Sequence, residues 1–443
     1  MIKKIFLFSV IISQLTISCS SNDDDSTTPT TEESLSEQIA NITKQPYSKL
    51  TPSEQKVKLE VEANDMLVQM DKSKTSGAIE AIQNLGNLLS ISSVDIFDGK
   101  NDNEIEDILN VSGVYGIYTW DNSKQIWNKT TSTTELKFIF PAKKDQTINN
   151  ASLSSKSTSS NIKVDFEDTY NWETGTTVND QIFLPTSVNA TLTIDNTEAA
   201  TFVTNAKYTG TIETPDESSF KMVLNDGYAY EISGKKATEN TVKSSFTYNG
   251  KNLVEFNSGS TADIDGLLEN DELIQYRGKA NGLVQIMDNF IIVAEMDIAG
   301  QATDEEALEN TLTYPDYNKK TYFTDLNAYN LKSSEGEILN YNKNMKLILV
   351  SKKDGTKIAD VIQRSEKGYS YTDYSDKWVI DADYTNGGYW TYNPEGGTLV
   401  QYYDEVLYLK FNDNTEVAMS SYFSTGFEDL ETKFEDFLLS FER

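Results

Sequence analysis

The chain has 443 residues, a formal net charge of −31 and no histidine. A surface this acidic repels nucleic acid and anionic lipid headgroups, so neither is an expected partner. Without histidine there is no Ser-His-Asp or Cys-His triad, no imidazole base and no His-containing zinc or haem site. Any catalysis would fall to carboxylates, Lys or Tyr.

Residues 1–18 read as an export signal: Lys3 and Lys4, then an apolar stretch from Ile5 to Ile17 too short to span a bilayer. Residues 19–45 read as a flexible acidic tether, rich in Ser and Thr and poor in apolar residues. Residues 46–110 form a helical segment. Thr51-Pro52-Ser53-Glu54 is a capping box opening a helix to about Lys74, and a second helix is expected from Ser76 to about Leu89.

Residues 111–300 change to a period of two and are expected to be antiparallel β structure. Gly113 to Trp120 turns at Asp121-Asn122-Ser123 into Ile126 and Trp127, and Glu135 to Phe140 follows. The Ser-rich stretch 144–161 reads as a loop. Asn225-Asp226-Gly227 and Asn249-Gly250 mark two further hairpins, and Phe290 to Ile298 a buried strand. Residues 301–443 read as α+β. Thr303 to Glu306 predicts a capping box, Thr324 to Asn340 a helix, and Asp354-Gly355 a hairpin. Strands are expected at 377–384, 387–392, 398–403, 405–411 and 415–422. A final amphipathic helix is expected with Phe427, Leu430, Phe434, Leu438 and Phe441 on one stripe. The fold class is therefore α+β: a large curved antiparallel sheet built from hairpins, with amphipathic helices on one face.

Cys19 is the sole cysteine. The stretch Leu15-Thr16-Ile17-Ser18-Cys19 resembles the lipobox of bacterial lipoproteins, with Thr16 where leucine is usual. The resemblance implies cleavage before Cys19, lipid on its thiol and attachment to the outer membrane through acyl chains alone, each buried methylene contributing about 0.8 kcal/mol. Ser20-Ser21-Asn22-Asp23-Asp24-Asp25 resembles the acidic surface-export run of Bacteroidota lipoproteins, which implies display facing the medium. Tyr118-Thr119-Trp120-Asp121 is similar to a hairpin of uncharacterised lipoproteins of that group. The hairpin-rich pattern loosely resembles the half-barrels of periplasmic lipoprotein carriers.

Candidate ligand contacts lie in the aromatic cluster Tyr384, Tyr389, Trp390, Tyr392, Tyr402, Tyr403 and Tyr408. Tyr and Trp faces stack on sugar C–H edges, while the plain alternative is cross-strand packing. Asp98 to Glu104 and Asp263-Ile264-Asp265-Gly266 offer oxygen ligands, but neither completes a calcium loop. No metal or other cofactor is expected. Glu173, Asp404 and Glu405 are carboxylates beside aromatics. The leading expectation is a non-enzymatic binding module for a glycan, an apolar ligand or a partner protein. A carboxylate-based polysaccharide hydrolase and a structural component of an outer-membrane complex are the alternatives.

Overall fold

The computed structural model describes residues 34–423 except 93, 95–104, 172–174, 211–212 and 270–275. Cys19, Glu173, the Asp98–Glu104 cluster and the expected C-terminal helix lie outside the described residues.

A sixteen-stranded, open, curved sheet dominates, and the chain is α+β. It starts with β1 (Gly116–Asp121), β2 (Ile126–Thr130) and β3 (Leu136–Phe140). β2 ends opposite the start of β1, so a short connection passes beneath β1 and β3 runs parallel to it. The other neighbouring strands of the sheet pair antiparallel. The long pair β4 (Ala151–Asn171) and β5 (Thr176–Ile194) leads into β6 (Thr197–Lys207), β7 (Glu217–Leu224), β8 (Tyr228–Lys235), β9 (Asn240–Tyr248) and β10 (Lys251–Ser260). Then come β11 (Ala280–Ile286), β12 (Phe290–Met296), β13 (Met345–Ser351) and β14 (Thr356–Asp373). A separate hairpin, β15 (Lys377–Ile380) with β16 (Gly388–Thr391), precedes β17 (Thr398–Lys410) and the short edge β18 (Glu416–Ala418). Asn249 and Gly250 have φ of 50° and 73°, the paired positive values of a type I′ turn, which matches the twist of β9 and β10.

The helices are α1 (Leu35–Thr43), α2 (Pro52–Asp71), α3 (Gly77–Ile91), α4 (Ile105–Asn110), α5 (Ile264–Glu269), α6 (Ile298–Thr311), α7 (Tyr322–Asn344) and α8 (Met419–Tyr422). Thr51 and Glu54 form the expected capping box of α2. One core lies between α2 to α4 and the first ten strands, around Phe138, Phe140 and Leu192. Each such side chain contributes about 1.5–3 kcal/mol on burial. A second joins β12, β13, β14, β17 and α8 through Phe290, Leu349, Leu409 and Tyr422. α2 spans both, placing Leu59 and Ala63 in the second core and Met66 and Met70 in the first. Among the described residues, no helix is long and apolar enough to cross a membrane.

Five local readings change. Residues 35–43 are helical, with a Ser34–Glu37 capping box and a buried Ile39 packed on Leu283, Val293 and Val350. The alternation of β13 puts Val350 on the face opposite Leu349, so α1 covers the reverse side of the sheet from α2. Of the Ser-rich stretch, 144–150 is loop but 151–161 is strand, because the register of β4 with β5 runs from Ala151 to Asn171. α6 starts five residues before Thr303, capped by Asp297, and the Thr303 hydroxyl donates to the Ala299 carbonyl. Residues 398–410 form one unbroken strand, and Met419 to Tyr422 is helical.

Candidate functional site

Beyond Val361, where β13 stops pairing, β14 and β17 leave the main sheet as a two-stranded ribbon that reaches Asp373 and Thr398. A bulge between Lys367 and Ser370 puts Tyr369, Tyr371, Val400 and Tyr402 on one face. α7 crosses the outer edge of β17. Phe323 and Leu326 pack on Val400. The Asn327 and Asn330 amides then take the backbone of Leu399 and Gln401. One turn later Ser334 donates to Glu405 at 2.7 Å on the other face.

Trp390 anchors the β15–β16 hairpin to this end. Its ring meets Phe323 and Trp378 edge-on, with centroids 5.0 Å away in each case. Its indole N–H donates to the Tyr317 carbonyl at 2.8 Å. Trp390 is thus committed to packing.

Tyr402 belongs to a different group, with Tyr369 and Tyr371. The three ring centroids are 6.1, 6.2 and 6.4 Å apart, and the rings lie within 26° of parallel. Near-equal sides rule out a column, in which the outer pair would be twice as far apart. The group is a compact trefoil, with Tyr369 68% and Tyr402 39% exposed. Tyr322 and Tyr314 adjoin it. Burial, then a hydrogen bond to Tyr314, pushes the Tyr322 phenol up to about 12, and the Tyr371 and Tyr402 hydroxyls add to the shift. Burial, then Tyr402 and Asp373, also raises Tyr371.

The other expected contacts are dispersed. Tyr389 pairs with Tyr384, and Tyr392 with Tyr374. Tyr403 follows Tyr402 in β17 and leaves the opposite face. Tyr408 donates to the Glu366 carboxylate. Tyr369 and Tyr371 were not among the candidates, although Tyr369-Ser370-Tyr371 alternates with the period of a strand.

Asp404 and Glu405 are successive strand residues, so their carboxylates face opposite sides and share no cleft. Asp263 accepts from the Gly266 N–H, and Asp265 pairs with Lys236 at 2.8 Å. Both are engaged in turn and ion-pair roles, and no cluster of three metal-ligating side chains occurs among the described residues. The described carboxylates with shifted pKa values all move downwards. Asp376 is held low mainly by the Thr398 hydroxyl, and Glu416 by Arg364.

Two grooves mark the surface, the first of them away from the ribbon. One of about 620 Å³ lies beside Ser36, Asn281, Lys279 and Lys346. The other, about 490 Å³, lies between α6, α7 and the ribbon and is lined by Tyr329, Tyr341 and four glutamates, Glu305, Glu309, Glu337 and Glu405. Tyr329 meets Tyr314 edge-on at 5.2 Å, which links this groove to the tyrosine group.

No protein-family model matches the chain, and neither a curated protein nor a solved structure is similar to it.

Proposed function

We propose that this protein is a surface-displayed, lipid-anchored lipoprotein that binds glycan without turning it over. The anchor reading rests on Ser18-Cys19 and the acidic run behind it. The observation that carries the binding reading is the trefoil of Tyr369, Tyr371 and Tyr402, in which Tyr369 and Tyr402 are exposed and Tyr371 is half-buried. Aromatic faces held by strands need no reorganisation to stack on sugar rings, and two χ angles per tyrosine keep the ordering cost small. The glutamate-rich lining of the second groove favours a hydroxyl-rich ligand over an apolar one. The absence of histidine and the opposed faces of Asp404 and Glu405 favour binding over hydrolysis.

A glycan array probed with the full chain, and with Tyr369→Ala/Tyr402→Ala, tests the reading. Binding by the parent that the variant loses is expected, with glycan chain length unchanged after incubation. Retention only of a protein partner from the outer membrane would replace the glycan by that partner. For the anchor, Cys19→Ala is expected to release the protein from membranes, and continued membrane association would overturn it.

A further inference from the structure

We propose a second binding site, on the reverse side of the sheet, for a free α-amino acid. On that side α1 packs against Leu283, Val293 and Ile348. Two residues further along each strand, alternation brings Asn281, Glu295 and Lys346 to the same face, beside Ser36 at the start of α1. Asn281 stands opposite Glu295, and Glu295 opposite Lys346, so the three form one row in the groove of about 620 Å³. Charge in the groove is balanced, with Lys279, Lys343 and Lys346 against Glu239, Glu295 and Asp297. The outer groups are already engaged. Lys279 pairs with Asp297 at 3.1 Å, Lys343 pairs with Asp304 at 2.7 Å, and Glu239 accepts from Ser36 at 3.3 Å.

The central row keeps its capacity. Among the described residues, neither Glu295 nor Lys346 forms an ion pair or a side-chain hydrogen bond, and both are exposed. Asn281 donates to Ser36 at 3.3 Å, and its Oδ1 lies over Gly259 without a partner. An exposed Lys–Glu contact contributes little to stability, so the fold does not need these two charges for itself. A ligand that fits the row offers an ammonium to Glu295 and a carboxylate to Lys346. Directly opposed strand residues have Cβ atoms about 5 Å apart, so the two ligand charges belong close together, as on one α-carbon. The termini of a peptide move apart by about 3.5 Å for each added residue. Asn281 flanks Glu295 and supplies a second acceptor on the ammonium side. The hydroxyls of Ser36, Ser260 and Thr261 on the walls favour a polar side chain.

Isothermal titration calorimetry of the full chain with L-glutamine and L-serine tests this, beside N-acetyl-L-glutamine, L-glutamine amide and seryl-serine. Saturable binding of a free amino acid is expected. Blocking its ammonium or its carboxylate should weaken it about tenfold or more, as should Glu295→Gln or Lys346→Met. Both positions are exposed, so the variants should keep the parent's thermal midpoint. Tyr369→Ala/Tyr402→Ala should bind the amino acid as the parent does, because this site does not depend on the tyrosine group. Equal binding of the blocked derivatives, or parent-like binding by Glu295→Gln and Lys346→Met, would overturn recognition by the charge pair. Preference for seryl-serine would overturn the assignment to a single amino acid. No saturable binding of any probe would overturn the site and leave the glycan reading untouched.

Discussion

The side chain of Asn342 exchanges two hydrogen bonds with the backbone of Gln363. The Gln363 N–H donates to Asn342 Oδ1 at 2.8 Å, and Asn342 Nδ2 donates to the Gln363 carbonyl at 3.0 Å. The β13–β14 ladder stops at Leu347 and Val361. Asn342 therefore stands in for the strand that β13 does not supply. With Asn327 on the far edge of β17, it clamps the ribbon between two amides of one helix. Asn342→Leu should cost about 1–3 kcal/mol, because both Gln363 backbone groups lose their partner. Asn342→Asp, which keeps the acceptor but turns a carboxylate oxygen towards the Gln363 carbonyl, should cost about as much. Urea midpoints at constant m-value measure both, and a leucine variant as stable as the parent would refute the clamp.

The β15–β16 hairpin depends on Gly388. A Cβ there would sit 2.2 Å from the Val379 carbonyl oxygen and 2.7 Å from Trp378 Nε1. Backbone cannot yield that far while Val379 and Tyr389 keep their register. Gly388→Ala should detach the hairpin while leaving the sheet folded. The expected signature is a solvent-shifted tryptophan emission from Trp378 and Trp390 with little change in far-UV circular dichroism. Unchanged emission would show that the hairpin tolerates the methyl group.

The elements that sequence reveals are those whose local signal agrees with their tertiary role. Asn249-Gly250 requires positive φ at two positions, and the structure places a type I′ turn there. The Thr51 capping box and the alternation of Leu136, Phe138 and Phe140 are equally direct. The Ser-rich β4 hides because its stability comes from a long pairing with β5 rather than from β-branched residues of its own. α1 hides because nine residues with one fully buried side chain look like tether, although Ser34 and Glu37 announce its start. α7 contacts the ribbon through Asn327, Asn330, Ser334 and Asn342, a polar stripe that apolar periodicity does not detect. The tyrosine group was half legible. Tyr402 stood out among neighbouring aromatics, but its partners Tyr369 and Tyr371 come from a strand thirty residues earlier, joined by a register that only pairing reveals.

Because α2 contributes to both cores, the two halves of the sheet should unfold together. Leu59→Ala acts in the second core and Met70→Ala in the first, and each should cost about 2–5 kcal/mol. Both should lower one common thermal transition, seen alike by far-UV circular dichroism and tryptophan emission. Two separated transitions in either variant would show that α2 does not couple the halves.

Tyr47 fastens the segment after α1 to the start of β14. Its neighbours Pro46 and Ser48 exchange backbone hydrogen bonds with Lys357 at 2.9 and 2.8 Å. The Tyr47 hydroxyl donates to Asp360 at 2.5 Å, and Lys357 Nζ lies 4.1 Å from the ring centroid. Burial, then the bond to Asp360, pushes the phenol up to about 12 from an ordinary value of 10.0. The folded state therefore holds the Tyr47 proton more tightly than the unfolded chain. The stability tied to it is fully present below pH 10 and drains away as pH rises towards 12. Denaturation midpoints should fall over that window, and Tyr47→Phe should be less stable at neutral pH yet show a shallower alkaline fall. Parallel alkaline profiles for the two proteins would show that Tyr47 is not the group responsible.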